Sequence, residues 1–258
     1  MKVTVCELPN EPSELEAAWN NLHEHAERHH PHLLLLPEFA FVPALWGADE
    51  FDQAEWDAAI MTSGAWIRRL SELGAEHVVG ARPVTVYGRH YNEGFLWSRG
   101  RVLAPLRRKY YMPDEPGGRE LRWFARGDRK FPRYAAAGLG FGLNICTELW
   151  ALESYAAYAA ASVHAVLCPR ATSSESRCKW LSMGTVAAVR TGAYCLSSNR
   201  VTADGSMGGM GWVIGPDGQV LALTSRDAPF ATVDIDPQES EKAQSTYPRY
   251  ALVEPPSR

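Results

Sequence analysis

The feature that most constrains the fold is a run of four leucines, Leu33–Leu36, which ends at Pro37. A run without a polar position predicts a strand covered on both faces, as in a parallel sheet between layers of helices. Before it, residues 2–7 have the pattern of a strand, and a helix that begins near Pro12 carries apolar residues at helical spacing. A strand, a helix and a second strand in this order predict a layered α/β fold.

The same alternation continues along the chain and predicts a single domain over residues 1–258. No linker divides it, and residues 247–258 are expected to form a C-terminal tail. Helices are predicted over 52–73, 150–161 and 179–191. Strands are predicted over 76–82, 92–98, 101–108, 131–136, 139–145, 165–168, 194–198, 211–214, 219–223 and 230–234.

Composition favours small-molecule chemistry. The formal net charge of -4 gives no reason to expect binding to nucleic acid or to an anionic membrane. No apolar stretch reaches the roughly 20 residues that a membrane span requires. Five cysteines without a CxxC pair argue against a disulfide framework and against a structural zinc site. We therefore expect a cytoplasmic protein that uses no cofactor and no metal.

A cluster of histidines between residues 23 and 32 leaves a metalloprotein as one alternative. His25 and His29 lie four residues apart on the first predicted helix and could share a face. No cysteine or carboxylate joins them at the spacing of a metal site, so a solvated helix end is the favoured interpretation.

Glu38 directly follows the leucine run and is a candidate general acid and base. Open α/β sheets place their sites at the carboxyl ends of buried strands, and a partly desolvated carboxyl group there is suited to proton transfer near neutrality. Judged alone, such a glutamate is more often a helix cap or a partner in a surface ion pair.

Cys146 is a candidate nucleophile because it follows the predicted strand over 139–145 and precedes a predicted helix. A thiol at such a turn is expected to have a lowered pKa and to lie beside backbone N–H groups that can hold an oxyanion. A buried structural cysteine is the more common outcome, and it suits Cys6, Cys168 and Cys195, which lie in apolar strands, better than Cys146.

Lys109 ends a basic run of three residues and precedes two tyrosines. A lysine in such a run usually lies on the solvated surface. Beside a thiolate and a carboxylate, its ammonium group would instead stabilise both the thiolate and a developing oxyanion.

Three segments together resemble the signature regions of the nitrilase superfamily. They are Leu-Leu-Pro-Glu38-Phe, Arg-Lys109-Tyr-Tyr-Met-Pro and Asn-Ile-Cys146-Thr-Glu-Leu-Trp, in the family's order and at about its spacings. Residues 91–94 and 199–201 are similar to two further family segments, so the resemblance covers nearly the whole chain. It implies a four-layer α-β-β-α sandwich, assembly into a homodimer or a higher homo-oligomer, and a catalytic set of Glu38, Lys109 and Cys146.

Members of that family often carry a second glutamate in the pattern Glu-x-Arg-x-Phe-x-x-Gly, and residues 120–127 match it position for position. By this resemblance, Glu120 is the candidate for orienting Lys109 and the substrate nitrogen. Glu115 is closer to the lysine in sequence and is the competitor. An ion pair on a loop is the ordinary alternative for either glutamate.

The resemblance also implies a reaction in which Cys146 attacks an amide or carbamoyl carbon and forms a thioester, while Glu38 serves first as an acid and then as a base. Thr147 stands where nitrilases in the strict sense typically have tryptophan, so amides are favoured over nitriles as the small-molecule substrate. Its backbone N–H is a second candidate for holding the oxyanion. A nitrile-hydrolysing nitrilase and an inactive binding module on the same fold are the alternatives.

Three further side chains are candidates for substrate binding. Arg170 ends a predicted strand, where it supplies a cation for an acidic substrate or pairs with Glu148. Tyr111 and Trp150 are candidate walls of the pocket, although aromatic residues at such spacing more often belong to a core.

Overall fold

In a computed structural model, which describes residues 1–100 and 103–252, strands and helices alternate along the chain. The strands are β1 (Lys2–Pro9), β2 (Leu33–Glu38), β3 (His77–Val86), β4 (Arg89–Ser98), β5 (Ala104–Arg108), β6 (Tyr134–Ala136), β7 (Leu139–Leu143), β8 (Ala165–Pro169), β9 (Tyr194–Val201), β10 (Trp212–Ile214), β11 (Val220–Leu223) and β12 (Phe230–Asp234). The helices are α1 (Pro12–His29), α2 (Gln53–Arg68), α3 (Glu120–Trp123), α4 (Leu152–Ala160), α5 (Arg177–Thr191) and α6 (Pro237–Gln244). Short 3-10 helices cover Leu45–Gly47, Arg69–Glu72, Cys146–Trp150, Ser174–Ser176 and Arg249–Leu252.

The strands of the described residues form one hydrogen-bonded sheet that folds into two facing halves. The first half has the order β5-β4-β3-β2-β1, with β12 antiparallel to β1. The second half has the order β6-β7-β8-β9 and continues through β10 to β11. The halves join where Glu7–Pro9 pair in parallel with Asn199–Val201. Because β1, β2, β3, β7, β8 and β9 all run parallel, their carboxyl ends meet at one edge.

The leucine run of β2 is covered on both faces, as its composition predicts. Leu33 and Leu35 belong to the core between the two sheet halves, whereas Leu34 and Leu36 pack in a second core with Trp19 of α1. All four leucines are fully buried, and burying one such side chain contributes roughly 1.5–3 kcal/mol. Helices α4 and α5 cover the other sheet half. The order helix, sheet, sheet, helix is the four-layer sandwich expected from the sequence.

Several helices differ from the prediction. The helix predicted over 52–73 ends at Arg68, where a 3-10 helix follows, and the short helix α3 was not predicted. The helix predicted over 150–161 begins at Leu152, because a 3-10 helix occupies the preceding residues. Helix α6 was not predicted, since it is almost entirely polar and lacks a clear apolar period. It starts where the Asp236 carboxylate accepts a hydrogen bond from the Gln238 N–H. None of the helices within the described residues has both the length and the apolar character needed to cross a bilayer.

The ends of two predicted segments lie outside the described residues. The strand predicted over 101–108 is described from residue 103 onward and begins at Ala104. The tail predicted over 247–258 is described as far as residue 252. Within it, Arg249 is buried and donates hydrogen bonds to the Ala243 carbonyl and to the Asp217 carboxylate. This part of the chain is therefore anchored to the domain rather than a free tail.

Candidate active site

The four residues predicted to be catalytic meet at the carboxyl edge of the parallel strands. Glu38 is the last residue of β2, Lys109 directly follows β5, Glu120 begins α3, and Cys146 follows β7. No more than 4% of any of these four residues is exposed. The sequence prediction therefore identified residues that are distant along the chain and adjacent in the fold.

The Lys109 ammonium group bridges two carboxylates. Its Nζ donates to Oε1 of Glu38 at 2.9 Å and to Oε1 of Glu120 at 2.7 Å. Burial disfavours the charged lysine, but the attraction of Glu120, Glu38 and Cys146 outweighs it, so the pKa of Lys109 is raised well above its ordinary value. Lys109 therefore stays an ammonium ion near neutral pH and acts as a fixed positive charge.

Glu120 rather than Glu115 is the glutamate that contacts Lys109. Glu115 is exposed and lies in a turn that it closes with Gly118 through two backbone hydrogen bonds. Burial raises the pKa of Glu120 to about 7; Lys109 opposes this shift and the negative charge of Glu38 adds to it. Burial therefore disfavours the charged form of Glu120, and the contact with Lys109 offsets only part of that effect.

One oxygen of each carboxylate has no hydrogen-bond partner within the described residues. These atoms are Oε2 of Glu38 and Oε2 of Glu120, and both are buried. Oε1 of Glu38, by contrast, accepts from Lys109 and also from Nδ2 of Asn92 at 2.7 Å. Buried acceptors without a donor are uncommon and cost free energy. The site thus presents two carboxylate oxygens that N–H or O–H donors of a substrate can satisfy.

The prediction of a lowered pKa for the Cys146 thiol was wrong. Burial and the negative charge of Glu38 raise the pKa of Cys146 above its ordinary value, although Lys109 and a hydrogen bond with the Ala171 backbone act in the opposite direction. The predicted α-helix is absent at this point, because residues 146–150 form a 3-10 helix of five residues. So short a helix has little macrodipole to stabilise a thiolate. Burial and the neighbouring carboxylates therefore favour the protonated thiol over the thiolate.

Glu148 ties the turn that holds Cys146 to the end of β5. Its Oε2 accepts from the Ile145 N–H at 3.0 Å and from the Arg107 guanidinium, and its Oε1 accepts from the Tyr110 N–H at 2.7 Å. Cys146 itself has a backbone φ of +50°, which is unfavourable for a residue with a side chain. Such a conformation persists only where its surroundings hold it, and Glu148 supplies that support.

Arg170 does not pair with Glu148, which was one of the two roles predicted for it. The side chain is fully buried, and its guanidinium lies 4.0 Å from the centre of the Trp212 ring. Each of its three nitrogens donates a hydrogen bond, to Ser197 Oγ, to Thr172 Oγ1 and to the Met210 carbonyl. The arginine that pairs with Glu148 is Arg107. Arg170 therefore braces the ends of β8 and β9, and its binding of an acidic substrate stays a prediction.

The remaining candidates lie nearer the surface. Thr147 is half-buried. Trp150 is 42% exposed and packs edge-on against Trp180, with ring centres 5.3 Å apart. The Tyr111 hydroxyl donates to the Glu153 carboxylate. The contribution of Thr147, Tyr111 and Trp150 to substrate binding stays a prediction.

Sequence reasoning assigned no role to Asn92 or Arg107, both of which contact the site. Asn92 is 1% exposed and lies among buried residues of β4. A polar amide at the start of the strand predicted over 92–98 was the available signal, since a buried amide needs partners. Its partner Glu38 is 54 residues away, so only the strand register reveals the contact.

The two histidines that share a face of the first predicted helix lie side by side on α1. No group of three His, Cys, Asp or Glu side chains in the described part of the chain is arranged to hold a metal ion. The rings of His25 and His29 lie 4.3 Å apart, and Nε2 of His25 shares a hydrogen bond with Thr232 Oγ1 at 2.8 Å. Burial, together with the neighbouring charge of His29, lowers the pKa of His25 to about 4.

Comparisons with known proteins agree with this geometry. A family model described as "Carbon-nitrogen hydrolase" matches residues 2–244. The N-carbamoylputrescine amidase of Solanum lycopersicum is 25% identical over 150 residues, which are 52% of this chain and 50% of that protein. The chain thus aligns with about half the length of this curated relative.

Two solved structures show the similarity of fold. A carbon-nitrogen hydrolase from Helicobacter pylori G27 has a TM-score of 0.84 and 19% identity, covering 98% of this chain and 95% of that one. A mutant of the amidase from Nesterenkonia sp. AN1 has a TM-score of 0.75 and 20% identity, covering 97% and 95%.

Proposed function

The chain belongs to the carbon-nitrogen hydrolase family, and we propose that it cleaves a C–N bond, other than a peptide bond, in a small amide or carbamoyl compound. One observation carries the proposal: a buried ammonium, Lys109, lies between the carboxylates of Glu38 and Glu120 at the strand edge that also holds Cys146. A nucleophile, an acid–base group and a fixed positive charge are the three components that acyl transfer requires.

In the first half of the reaction, the Cys146 thiol gives its proton to Glu38 while the sulfur bonds to the carbonyl carbon. Lys109 and the backbone N–H of Thr147 stabilise the oxyanion that forms. The C–N bond then breaks, and Glu38 passes the proton to the departing nitrogen. Ammonia or an amine leaves, and the acyl group remains on the sulfur as a thioester.

In the second half, water replaces the amine. Glu38 takes a proton from the water as the oxygen attacks the thioester carbon, and Lys109 again stabilises the oxyanion. The C–S bond breaks, the proton on Glu38 returns to the sulfur, and the acid is released. Support for a nucleophilic cysteine comes from a mutant of the Nesterenkonia sp. AN1 amidase, in which the acetamide moiety of fluoroacetamide is covalently added to the active-site cysteine.

The free carboxylate oxygens favour amides over nitriles as substrates. Oε2 of Glu38 and Oε2 of Glu120 are buried acceptors without donors. The NH₂ group of a primary amide or of a carbamoyl group has two N–H donors to offer them, whereas a nitrile nitrogen has none. The two oxygens would stay unsatisfied beside a nitrile, at a cost of roughly 1–3 kcal/mol each.

The test is ammonia release from a panel of primary amides, N-carbamoyl compounds including N-carbamoylputrescine, and nitriles. Wild-type protein should release ammonia from at least one amide or carbamoyl compound, and Cys146→Ala should release none while keeping its circular dichroism spectrum. Cys178→Ser is the matched control, because Cys178 is the exposed cysteine and should be dispensable. Ammonia from nitriles alone, or full activity in Cys146→Ala, would refute the proposal.

A further inference from the structure

We propose that Asn92 is a positioning residue that reserves Oε2 of Glu38 as the atom that carries the proton during turnover. This inference rests on the proposed function, because it assigns the acid–base step of that reaction to one oxygen of Glu38. Asn92 lies on β4, outside the segments that carry the nucleophile and the lysine.

The hydrogen bonds of Glu38 differ between its two oxygens. Oε1 accepts from Lys109 Nζ at 2.9 Å and from Asn92 Nδ2 at 2.7 Å. A carboxylate oxygen has about two lone-pair directions, so two donors occupy it fully. A proton on Oε1 would displace one of these donors, whereas Oε2 has no partner in the described structure and is free to take the proton.

The backbone holds Asn92 in this position independently of the substrate. Asn92 is paired with Pro83 in the antiparallel ladder of β3 and β4, and its carbonyl oxygen accepts from the Lys109 N–H at 2.9 Å. The residue therefore contacts Lys109 through its main chain and Glu38 through its side chain. One strand position thus sets the relative placement of the acid–base group and the ammonium.

A neutral amide suits this position because the site already contains several charged or ionisable groups. Glu38 is surrounded by Lys109 after β5, Glu120 of α3 and Cys146, and Arg200 of β9 also acts on it electrostatically. Asn92 adds a hydrogen-bond donor without adding a charge. Its Oδ1 has no partner in the described structure, so no donor holds the amide group in a different orientation.

The proton path then runs through one atom. The Cys146 thiol proton moves from Sγ to Oε2, and from Oε2 to the leaving nitrogen as the C–N bond breaks. In deacylation, one proton of the attacking water moves to Oε2, and from Oε2 to the sulfur as the C–S bond breaks. No proton is gained or lost over the cycle, and Oε1 keeps both of its donors throughout.

The experiment compares Asn92→Leu and Asn92→Asp with wild type, all in a Cys178→Ser background. Two readouts are measured against pH: kcat/KM for the best substrate of the panel, and the rate at which iodoacetamide alkylates Cys146, followed by mass spectrometry. Loss of the donor destabilises the ionised carboxylate, so the acidic limb of both profiles should move up by about one pH unit in Asn92→Leu. It should move further in Asn92→Asp, because a second carboxylate would face the first.

Asn199→Leu is the control for the loss of a buried amide. Asn199 is fully buried and hydrogen-bonds to Thr172 and Gly209. A purely structural effect should lower activity at all pH values without moving the acidic limb, and this is the result expected for Asn199→Leu. If Asn92→Leu does not fold, Asn92→Ser, which adds no bulk and is too short to reach Glu38 directly, takes its place.

The inference would be overturned if folded Asn92 variants kept the acidic limbs of both pH profiles, kcat/KM and alkylation rate, at the wild-type position. Failure of the proposed function gives a different result: wild type would release no ammonia from any amide or carbamoyl compound. The alkylation profile needs no substrate, so it still decides whether Asn92 controls proton transfer at Glu38.

Discussion

The ion pair of Arg107 and Glu148 should be among the most costly to break in this protein. Only 1% of the Arg107 side chain and 0% of the Glu148 side chain are exposed. Arg107 also lies over the Phe131 ring, with its guanidinium carbon 4.6 Å from the ring centre. Truncating one partner leaves the other charge buried and uncompensated, which costs about 3–5 kcal/mol. Arg107→Ala should therefore remove a large part of the roughly 5–15 kcal/mol that stabilises a typical domain.

The assay is urea unfolding followed by tryptophan fluorescence. Arg129→Ala is the matched control, because Arg129 pairs with Glu153 at 3.0 Å while 59% and 46% of the two side chains are exposed. An exposed pair contributes no more than about 1 kcal/mol. If Arg107→Ala lowers the free energy of unfolding by no more than Arg129→Ala does, the buried pair does not support the fold as argued.

The same pair should matter for catalysis. Glu148 accepts from the backbone next to both Lys109 and Cys146, so Glu148→Ala should let these residues move apart. A displacement of about 1 Å can reduce the rate 100-fold, and kcat should fall by about that factor at temperatures where the variant is still folded. Unchanged kcat in folded Glu148→Ala would show that the turn at Cys146 keeps its conformation without the hydrogen bonds of Glu148.

The packing at Gly127 and the burial of Glu120 each predict a change in the stability of the fold. A Cβ at Gly127 would lie 2.2 Å from the Arg108 carbonyl oxygen, so Gly127→Ala should lower the free energy of unfolding in urea by about 1–3 kcal/mol. Gly47→Ala is the control and should cost little, because a Cβ at Gly47 would have no atom within 4 Å. Equal urea midpoints for the two variants would contradict this prediction. Because the pKa of Glu120 is raised to about 7 from 4.5, its contribution to stability is present below pH 4.5 and lost as pH rises through 7. Relative to Glu120→Gln, wild type should therefore lose stability between pH 4.5 and 7, and a difference independent of pH would contradict the assigned shift.

The sequence predicted the parts of the site that depend on local pattern. Glu38 follows the leucine run and Cys146 follows the strand predicted over 139–145, and the carboxyl ends of such strands meet at one edge of a parallel sheet. The pattern around Glu120, taken from the family resemblance, identified the glutamate that contacts Lys109, while the nearer Glu115 proved to be exposed. For Glu38 and Cys146, by contrast, strand direction determines where the residues lie.

The sequence could not predict which side chains face each other across the sheet. Arg107 and Arg170 both lie near strand ends, and only the register and the direction of each side chain decide that Arg107 reaches Glu148. The contact of Asn92 with Glu38 depends on the pairing of β2, β3 and β4 in the same way. Such contacts are set by tertiary packing, which spacing along the chain does not encode.

The error about the Cys146 thiol has an electrostatic cause that also bears on mechanism. A turn before a helix suggested stabilisation of a thiolate, but the site already holds two carboxylates against one ammonium. With both carboxylates ionised, the buried group has a net negative charge, and a thiolate would add a second negative charge in a medium that solvates it poorly. In the proposed reaction, the thiol proton moves to Glu38 as the sulfur attacks, and this transfer leaves the net charge of the site unchanged. In that reaction, the nucleophile and the acid that protonates the leaving nitrogen would be generated in the same step.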